Sequence, residues 1–241
     1  MSDKHTLLSE IIQQGADVAG LTLPSDAISA FKTYYDLLSE RGKEVNLTAL
    51  FGERDVAYSH FLDSMALLNI TEFKGARVID IGSGAGFPGI PLKIVEPTID
   101  LTLLDSSGKR VSFMSEVCDT LKVDALCIYA RAEEHVSEAG VRESYDIAVS
   151  RAVAKLGVLA ELCLPYVRVG GTFIAMKGAD SESELSEAEN AIQTLGAELK
   201  ERVDYTIPCA DIVHRAVVIR KTSKTPDKYP RRFARIQKSP L

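Results

Sequence analysis

The sequence predicts an α/β fold in which a mostly parallel β-sheet is covered by helices on both faces. From residue 77 onward, short apolar runs that suit buried strands alternate with amphipathic stretches that suit helices. Parallel strands need crossover connections, which helices of this kind supply. Hydrophobic residues make up 46% of the 241 positions, so the chain can bury a core and does not have a disordered composition.

Residues 5–70 are predicted to form three helices ahead of the first strand. The second helix is expected to begin after Pro24-Ser25-Asp26 and to end at Gly42, and the third is expected over residues 53–69. We expect residues 1–72 to form a helical extension that packs on the sheet. The apolar residues that recur at helical spacing in the first two helices are Leu7, Leu8, Ile11, Ile12, Ile28, Phe31, Tyr35 and Leu38.

Seven strands are predicted after this extension. Five of them alternate with helices, and a closing pair follows, at residues 77–81, 100–104, 125–130, 145–149, 171–176, 204–207 and 215–220. The helices between them are expected at residues 88–95, 109–121, 158–167 and 182–195. We assign residues 73–221 to this sheet domain and residues 222–241 to a basic tail.

Membrane spanning, export and metal binding are not indicated by the sequence. The longest apolar runs are far too short to cross a bilayer, and the first residues lack a basic region followed by an apolar stretch. The four histidines are dispersed and show no metal-ligand spacing. The cysteines form no C-x-x-C pair, so we expect a cytoplasmic, metal-free protein with small buried thiols at Cys118, Cys127, Cys163 and Cys209.

Charge is distributed unevenly along the chain. The net charge is −6, but residues 220–241 contain eight Lys or Arg and one acid, Asp227, which gives this stretch +7 and leaves −13 on the rest. A basic stretch on an acidic body is a localised anion-binding patch, which suits a nucleic acid. A solvated basic terminus that only maintains solubility is the alternative interpretation.

A glycine-rich turn follows the first predicted strand, at the edge where parallel α/β sheets bind ligands. Residues 80–89 read Asp-Ile-Gly-Ser-Gly-Ala-Gly-Phe-Pro-Gly. The dinucleotide fingerprint also fits, but it begins two residues late and puts Pro88 where an N–H group should bind phosphate. The earlier register, Asp-x-Gly-x-Gly-x-Gly, suits a cationic cofactor such as S-adenosylmethionine, with tight strand–helix packing as the structural alternative. We therefore predict cofactor contacts at Asp80, Gly82, Gly84 and Gly86.

Two further strand ends fit the nucleoside half of this cofactor. Asp105 ends the second strand, 23 residues beyond Gly82, where a carboxylate can accept both ribose hydroxyls. It could equally serve as the N-cap of the helix that follows. The third strand ends in Ala130-Arg131-Ala132-Glu133, where the small side chain of Ala132 would allow close approach of an adenine.

Several motifs occur together in an order typical of one protein family. They are Asp-Ile-Gly-Ser-Gly-Ala-Gly-Phe-Pro-Gly-Ile-Pro (80–91), Leu-Leu-Asp-Ser (103–106), Arg-Ala-Glu-Glu (131–134), Ser-Arg-Ala-Val-Ala (150–154) and Met-Lys-Gly (176–178). Asn-Leu-Thr (46–48), His-Phe-Leu-Asp-Ser (60–64) and Thr-Pro-x-Lys-Tyr-Pro-Arg (225–231) add to them. From about residue 46 onward the chain resembles the RsmG family, also called glucose-inhibited division protein B, whose members are bacterial 16S rRNA guanine-N7 methyltransferases.

The resemblance implies a class I methyltransferase fold, which is Rossmann-like and has seven strands with the last one antiparallel. It also implies S-adenosyl-L-methionine as the cofactor and one guanine in the decoding-region loop of 16S rRNA as the acceptor, either in naked rRNA or in the 30S subunit. Carried onto this sequence, the cofactor contacts fall at Gly82, Phe87, Asp105, Ser106, Ala132, Glu133 and Arg151.

The sequence lacks groups that other base methylations need. In this fold, methylation of an exocyclic amine typically uses an Asn/Asp-Pro-Pro-Tyr/Phe motif after the fourth strand, and C5 methylation needs a nucleophilic cysteine. Residues 150–153 offer neither. Guanine N7 has an in-plane lone pair and no proton, so in-line transfer by proximity and orientation requires no general base.

Two cations at adjacent strand ends, Arg151 and Lys177, are predicted to position the substrate. Guanine N7 and O6 are both acceptors, which matches Arg or Lys donors. For Arg151, an ion pair with Asp80 or Glu133 is the alternative.

Other assignments stay open. We interpret His60 as a helix-packing histidine in preference to a pocket residue, and Phe87 either as a wall of the adenosine pocket or as core. A methyltransferase acting on a small molecule or protein, a non-catalytic RNA-binding or ribosome-assembly factor, and a dinucleotide oxidoreductase are the competing functions. We expect a monomer.

Overall fold

Seven strands form one sheet, as the alternation of strands and helices predicts. The structure is a computed structural model and describes residues 6–45, 47, 50, 52–151, 154–178 and 182–241. The strands are β1 (Arg77–Ile81), β2 (Asp100–Asp105), β3 (Ala125–Tyr129), β4 (Tyr145–Arg151), β5 (Val167–Gly178), β6 (Ala197–Thr206) and β7 (Val213–Lys221).

The strand order in the sheet is β3-β2-β1-β4-β5-β7-β6. The first five strands in this order are parallel, and β7 is antiparallel to both of its neighbours. The direction of the winding reverses between β1 and β4, which is where open α/β sheets bind ligands beyond the carboxyl ends of the strands. This order and the antiparallel last strand confirm the predicted fold class.

Nine helices, numbered α1 to α9, accompany the strands in the described part of the chain, together with short 3-10 helices at Ala66–Asn69 and Leu164–Tyr166. The third, α3, is composite: an α-helical turn at Glu53–Val56, a π-helical stretch at Ala57–Leu62 and an α-helical turn at Asp63–Met65. π-Helical stretches often occur at functional sites. The others are α1 (Thr6–Val18), α2 (Ala27–Val45), α4 (Gly89–Val95), α5 (Gly108–Leu121), α6 (Ala132–His135), α7 (Leu156–Cys163), α8 (Glu182–Thr194) and α9 (Phe233–Lys238).

The sheet buries apolar side chains on both faces, because neighbouring residues of a strand point to opposite sides. In β1, Val78 belongs to one hydrophobic cluster, and Ile79 and Ile81 belong to the other. Helices α1 to α5 cover the first face, and α7 to α9 cover the second. Phe31 of α2 and Phe61 of α3 lie in the first cluster, so the helices ahead of β1 share a core with the sheet.

The structure moves several predicted boundaries. Helix α2 continues past Gly42, which is buried inside it, and ends at Val45. Helix α7 ends at Cys163, followed by a 3-10 turn over Leu164–Tyr166, because Pro165 has no N–H group to continue the α-helical ladder. Pro88 precedes α4 instead of opening it.

Strand β6 is longer than the sequence indicates and begins at Ala197, seven residues before the expected start. Its first half is almost entirely exposed, since β6 is the last strand of the sheet order. Polar residues on an exposed edge strand carry no hydrophobic pattern, so periodicity could not reveal it.

The cysteine prediction is partly wrong. All four thiols are free, and Cys118 and Cys163 are buried as expected, but Cys209 is exposed in the loop between β6 and β7 and Cys127 is half-buried. Among the described residues, no helix combines the length and apolarity that crossing a bilayer requires. In the same part of the chain, no group of three or more His, Cys, Asp and Glu side chains is placed to hold a metal ion.

Candidate functional site

The glycine-rich turn leaves β1 through three residues in the left-handed backbone region. Gly82, Gly84 and Gly86 have φ angles of 73°, 62° and 98°, which residues with a side chain rarely adopt. Gly89 opens α4 where a Cβ would lie only 2.6 Å from Leu103 Cδ2. The turn therefore packs helix closely on strand, as the structural interpretation of the motif expects, while contact of its glycines with a cofactor stays a prediction.

Asp80 lies beneath this turn and is fully buried. Its Oδ2 atom accepts a hydrogen bond from the Gly89 N–H group at 2.8 Å, while Oδ1 has no partner among the described residues. Burial raises the pKa of Asp80 to about 7, although the Gly89 hydrogen bond and the positive charge of Arg151 act in the opposite direction. A cation close to this buried carboxylate would lower its pKa and favour the ionised form.

A two-lobed groove crosses the carboxyl ends of the parallel strands. The large lobe has a volume of about 410 Å³ and is lined by Leu47, His60, Gly82, Ser83, Gly84, Ala85, Phe87, Asp105, Ser106, Arg110 and Arg151. The small lobe has about 140 Å³ and is lined by Ile81, Gly82, Leu104, Asp105, Ser106, Ala130, Arg131, Ala132, Glu133, Leu162 and Phe233. The lobes share Gly82, Asp105 and Ser106, and their combined size suits one small-molecule ligand.

Asp105 stands at the junction of the two lobes. Its Oδ2 atom accepts a hydrogen bond from the Gly84 N–H group at 3.0 Å, and its Oδ1 atom accepts one from the Ser107 N–H group at 2.9 Å. The N-cap of α5 is Ser107, so the N-cap role considered for Asp105 is wrong. Arg110 adds a positive charge 3.6 Å from the same carboxylate. Each carboxylate oxygen keeps a second lone pair with which it could accept a ligand hydroxyl.

Arg151 extends from the end of β4 into the large lobe. Its Nη1 atom donates to the Ser59 carbonyl at 2.8 Å and to Asp63 Oδ2 at 3.1 Å, and its guanidinium lies 5.1 Å from the centre of the Phe87 ring. The partner is therefore Asp63 of α3, and not Asp80 or Glu133 as the sequence analysis considered. The π-helical stretch of α3 places the Ser59 carbonyl toward this strand end.

His60 lines the large lobe, which corrects its interpretation as a helix-packing histidine. Its ring stacks on Phe87 with 4.7 Å between centroids, and its Nδ1 atom lies 3.2 Å from Arg151 Nη2. Burial and the neighbouring Arg151 charge lower the pKa of His60 to about 4, so the ring is neutral at physiological pH. Phe87 is buried, as expected of a core residue, and it also borders the large lobe; its contact with adenosine stays a prediction.

Asp63 is a buried carboxylate that joins three strands. Besides Arg151, it accepts hydrogen bonds from the Tyr205 hydroxyl of β6 and from His214 Nδ1 of β7, both at 2.8 Å. Burial alone would raise the pKa of Asp63, but the His214 hydrogen bond and the Arg151 charge outweigh it and hold the pKa below its ordinary value. Asp63 lies in the motif at residues 60–64 but is not among the site residues predicted from the sequence.

Lys177 does not join Arg151. Its Nζ atom forms an ion pair with Glu184 of α8 at 2.8 Å and donates to the Ala154 carbonyl at 2.6 Å, and it lines neither lobe. Its expected role in positioning the substrate therefore has no support in its contacts. The motif residues Asn46, Thr48, Ala152 and Val153 lie outside the described residues.

The small lobe brings the end of β3 together with a residue that the sequence analysis missed. Ala132 and Glu133 line it as predicted, and Glu133 accepts a hydrogen bond from Arg131 Nε at 2.7 Å. The Arg131 guanidinium lies 4.8 Å from the centre of the Phe233 ring. Phe233 lies more than a hundred residues beyond the end of β3, so no local spacing pointed to it.

The basic tail is packed against the sheet domain. Arg231 pairs with the fully buried Glu161 at 2.6 Å, and the Thr225 N–H group donates to Glu143 at 2.7 Å, beside the fully buried Lys221 at the end of β7. Tyr229 and Ile236 are buried as well. The remaining cations stay exposed and free to meet anions from outside: Arg220, Lys224, Lys228, Arg232, Arg235 and Lys238.

The chain is similar to one well-populated family. The family model described as "GidB: rRNA small subunit methyltransferase G" matches residues 27–213. Proteins named ribosomal RNA small subunit methyltransferase G from Alkaliphilus oremlandii and Acetivibrio thermocellus are 44% and 42% identical over 236 and 242 residues. These alignments cover 97% and 100% of this chain and 99% and 100% of the relatives.

Solved structures resemble the fold at low identity. A SAM-dependent methyltransferase from Aquifex aeolicus has a TM-score of 0.51 at 14% identity and covers 68% of this chain and 92% of its own. A precorrin-6y methyltransferase from Geobacter metallireducens has a TM-score of 0.51 at 12% identity and covers 66% and 87%. These likenesses support the class I methyltransferase fold.

Proposed function

The chain belongs to the GidB family of rRNA small subunit methyltransferase G, and from this premise we propose that it methylates N7 of one guanine in 16S rRNA. It is a methyltransferase, and its cofactor is S-adenosylmethionine. The proposal concerns the acceptor atom, the residues that hold the two substrates and the absence of a general base.

The residues of the groove fit this cofactor. The glycine turn would accept the amino-acid end at Gly82 and Gly84, above the buried Asp80, which lines neither lobe and whose carboxylate would act on a cation from beneath the turn. Asp105 and the exposed Ser106 stand between the lobes, where ribose hydroxyls would meet a carboxylate. The apolar small lobe suits a purine base. When bound, S-adenosylmethionine supplies an electrophilic methyl group on its sulfonium.

The proposal that guanine is the acceptor rests on the position of Arg151 in the large lobe. A guanidinium can donate to both O6 and N7 on the outer edge of a guanine, and donation to O6 alone leaves the N7 lone pair available. Asp63 and the Ser59 carbonyl restrict the guanidinium, which lowers the entropy lost when it orients a base. Since N7 carries no proton, the chain needs to align and desolvate the base and does not need to remove a proton.

The exposed cations of the tail are proposed to bind rRNA phosphates. Each Lys or Arg that neutralises a phosphate contributes affinity that weakens as salt rises. We further propose that residues 73–221 form the catalytic domain, that residues 1–72 and 222–241 support it, and that the protein acts as a metal-free monomer in the cytoplasm. The cytoplasmic location is inferred from the proposed substrate, because bacterial ribosomes are in the cytoplasm.

The test is methylation of defined acceptors followed by mapping of the product. The purified protein is incubated with S-adenosylmethionine carrying a labelled methyl group and with 16S rRNA or 30S subunits from cells that lack the enzyme. We expect about one methyl group per 16S rRNA, and strand scission after borohydride and aniline treatment at a single guanine. Label at an exocyclic amine, at several guanines or only in ribosomal protein would overturn the acceptor proposal.

A matched variant shows whether Arg151 acts on the acceptor. Arg151→Lys keeps the charge but loses the planar fork, so we expect a large loss of methylation with cofactor affinity changed much less. Equal losses in both measurements would assign Arg151 to the cofactor alone.

A further inference from the structure

We propose that Phe233, held in place by Arg231, forms one wall of the base-binding end of the cofactor site, so that the C-terminal segment (residues 222–241) is part of that site. This inference rests on S-adenosylmethionine being the cofactor and is independent of which rRNA atom accepts the methyl group. From its charge alone, this segment is predicted only to bind phosphates.

The chemistry of the small lobe identifies it as the place for the base. Asp105 and Ser106 mark the boundary with the large lobe, and a carboxylate at this strand end suits the ribose. Beyond that boundary the lobe is walled mainly by apolar side chains, which suit the faces of a flat aromatic ring. These side chains are Ile81, Leu104, Ala130, Ala132, Leu162 and Phe233.

Phe233 is fixed within this wall by contacts on the lobe itself. The Arg131 guanidinium lies over its ring, 4.8 Å from the ring centre. Arg131 is held in turn by Glu133, whose Oε1 atom accepts from Arg131 Nε at 2.7 Å. Both Arg131 and Glu133 line the small lobe, so these side chains restrain the ring where a base would contact it.

The segment carrying Phe233 is anchored two residues earlier. Arg231 donates to the Glu161 carboxylate from Nε at 2.8 Å and from Nη2 at 2.6 Å, and its backbone N–H group adds a third bond at 2.9 Å. Glu161 is fully buried in α7, and its neighbour Leu162 lines the small lobe. One turn of α7 therefore provides both the anchor of the segment and the wall next to Phe233.

Buried residues flank Phe233 on both sides of the sequence. Tyr229 and Ile236 are 8% and 0% exposed, whereas Arg232 and Arg235 point to solvent. The segment thus presents one side to the sheet domain and the lobe and leaves its cations on the other side. A segment that only bound RNA would need the exposed cations but would not need the buried residues that fix it to the sheet domain.

The experiment measures cofactor binding without RNA. S-Adenosylhomocysteine and methylthioadenosine, which lacks the amino-acid end, are titrated calorimetrically into the wild type and Phe233→Ala. Removing one aromatic–base contact is expected to raise Kd about tenfold for both probes. Gln237→Ala, an exposed change on the same helix, is the matched control and leaves both Kd values unchanged.

The two probes show whether Phe233 contacts the base, the amino-acid end or neither. An unchanged Kd for S-adenosylhomocysteine overturns the proposal. So does a loss confined to S-adenosylhomocysteine, because that would place the effect at the amino-acid end. If Phe233→Ala does not fold, Phe233→Leu tests the same point, since the smaller apolar side chain is expected to lose roughly threefold for both probes. Since no rRNA is present, a failure here is distinct from a failure of the acceptor assignment.

Discussion

The Arg151 guanidinium lies 3.1 Å from the Asp63 carboxylate, and this contact joins the end of β4 to α3 across 88 positions of the chain. Asp63 is 2% exposed and Arg151 is 16% exposed, so water screens the pair only weakly. Arg151 lines the large lobe, and the carboxylate of Asp63, which does not line it, balances its positive charge. We infer that Asp63 positions Arg151 and does not itself touch the substrate.

The first prediction concerns Asp63→Asn. Loss of the negative charge leaves Arg151 without its counter-ion, so we expect the single-turnover methylation rate to fall about tenfold or more while Kd for S-adenosylhomocysteine changes by about twofold or less. The free energy of unfolding is expected to fall by about 3 kcal/mol, because a buried ion pair loses one partner. Rates on 30S subunits, calorimetry and urea denaturation provide the three measurements.

Asp55→Asn is the control, since Asp55 is an exposed acid at the start of the same helix. It is expected to match the wild type in all three measurements. A normal methylation rate in Asp63→Asn would show that Arg151 needs no positioning by this carboxylate.

The second prediction concerns pH and Asp80. Its pKa in the folded protein is about 7 against a reference of 3.8, so between these values the folded state binds more protons than the unfolded state. Stability therefore falls as pH rises from about 4 to about 7. A cationic cofactor nearby favours the ionised carboxylate, so Kd for S-adenosylmethionine is expected to decrease by up to about tenfold from pH 6 to pH 8.

Asp80→Asn removes the titrating group and should flatten both dependences. Methylthioadenosine has no amino-acid end, so its Kd in the wild type is expected to stay constant over the same range. If Asp80→Asn kept the wild-type slope for S-adenosylmethionine, another group would be responsible.

The third prediction concerns salt and the exposed cations of the C-terminal segment. Substituting Arg232, Arg235 and Lys238 together with Ser is expected to weaken rRNA binding and to lower the slope of log K against log salt by about 0.7 for each lost phosphate contact. Filter binding over a series of salt concentrations measures the slope. Shortening the chain before residue 221 is a poorer test, because it removes the buried Lys221, Tyr229 and Ile236.

Lys200→Ser is the matched substitution for this series, since Lys200 is an exposed cation on the edge strand β6. The assignment of the segment to rRNA fails if the triple variant and Lys200→Ser have the same salt slope.

The fourth prediction separates backbone strain from steric overlap in the glycine turn. At Gly86 an added Cβ would overlap Ile90 and lie 2.7 Å from the Tyr34 hydroxyl oxygen, whereas at Gly75 nothing lies within 4 Å. Both glycines have positive φ angles, so Gly75→Ala is expected to cost about 1 kcal/mol of unfolding free energy from strain alone. Gly86→Ala is expected to cost roughly 1–3 kcal/mol more. Equal losses in urea denaturation would mean that the turn absorbs the extra methyl group.

The sequence predicts best what depends on local physics. Buried parallel strands such as β1 are continuous apolar runs, and positive φ angles in the turn require glycine, so both were found with accurate positions. The exposed edge strand β6 carries no such pattern and was placed too late.

Contacts between distant segments were predictable only in part. The strand-end rule placed Asp105 and Arg151 at the groove, but the same rule suggested Lys177, which pairs with Glu184 of α8 instead. The partner of Arg151 was also missed, because no spacing rule connects Asp63 to a residue 88 positions further along the chain. Phe233 was missed for the same reason, since its wall position exists only after the segment docks.

The anchors of the C-terminal segment also have a consequence for biosynthesis. Arg231 pairs with Glu161, and the Thr225 N–H group donates to Glu143, so each contact joins residues that the ribosome produces at clearly different times. The Glu161 carboxylate can meet Arg231, its ion-pair partner in the described part of the chain, only after residue 231 has left the exit tunnel. A nascent chain therefore acquires its complete small lobe late. On the proposal that Phe233 walls the base-binding end of the cofactor site, a chain that has not yet added this segment is expected to bind S-adenosylmethionine more weakly than the complete chain.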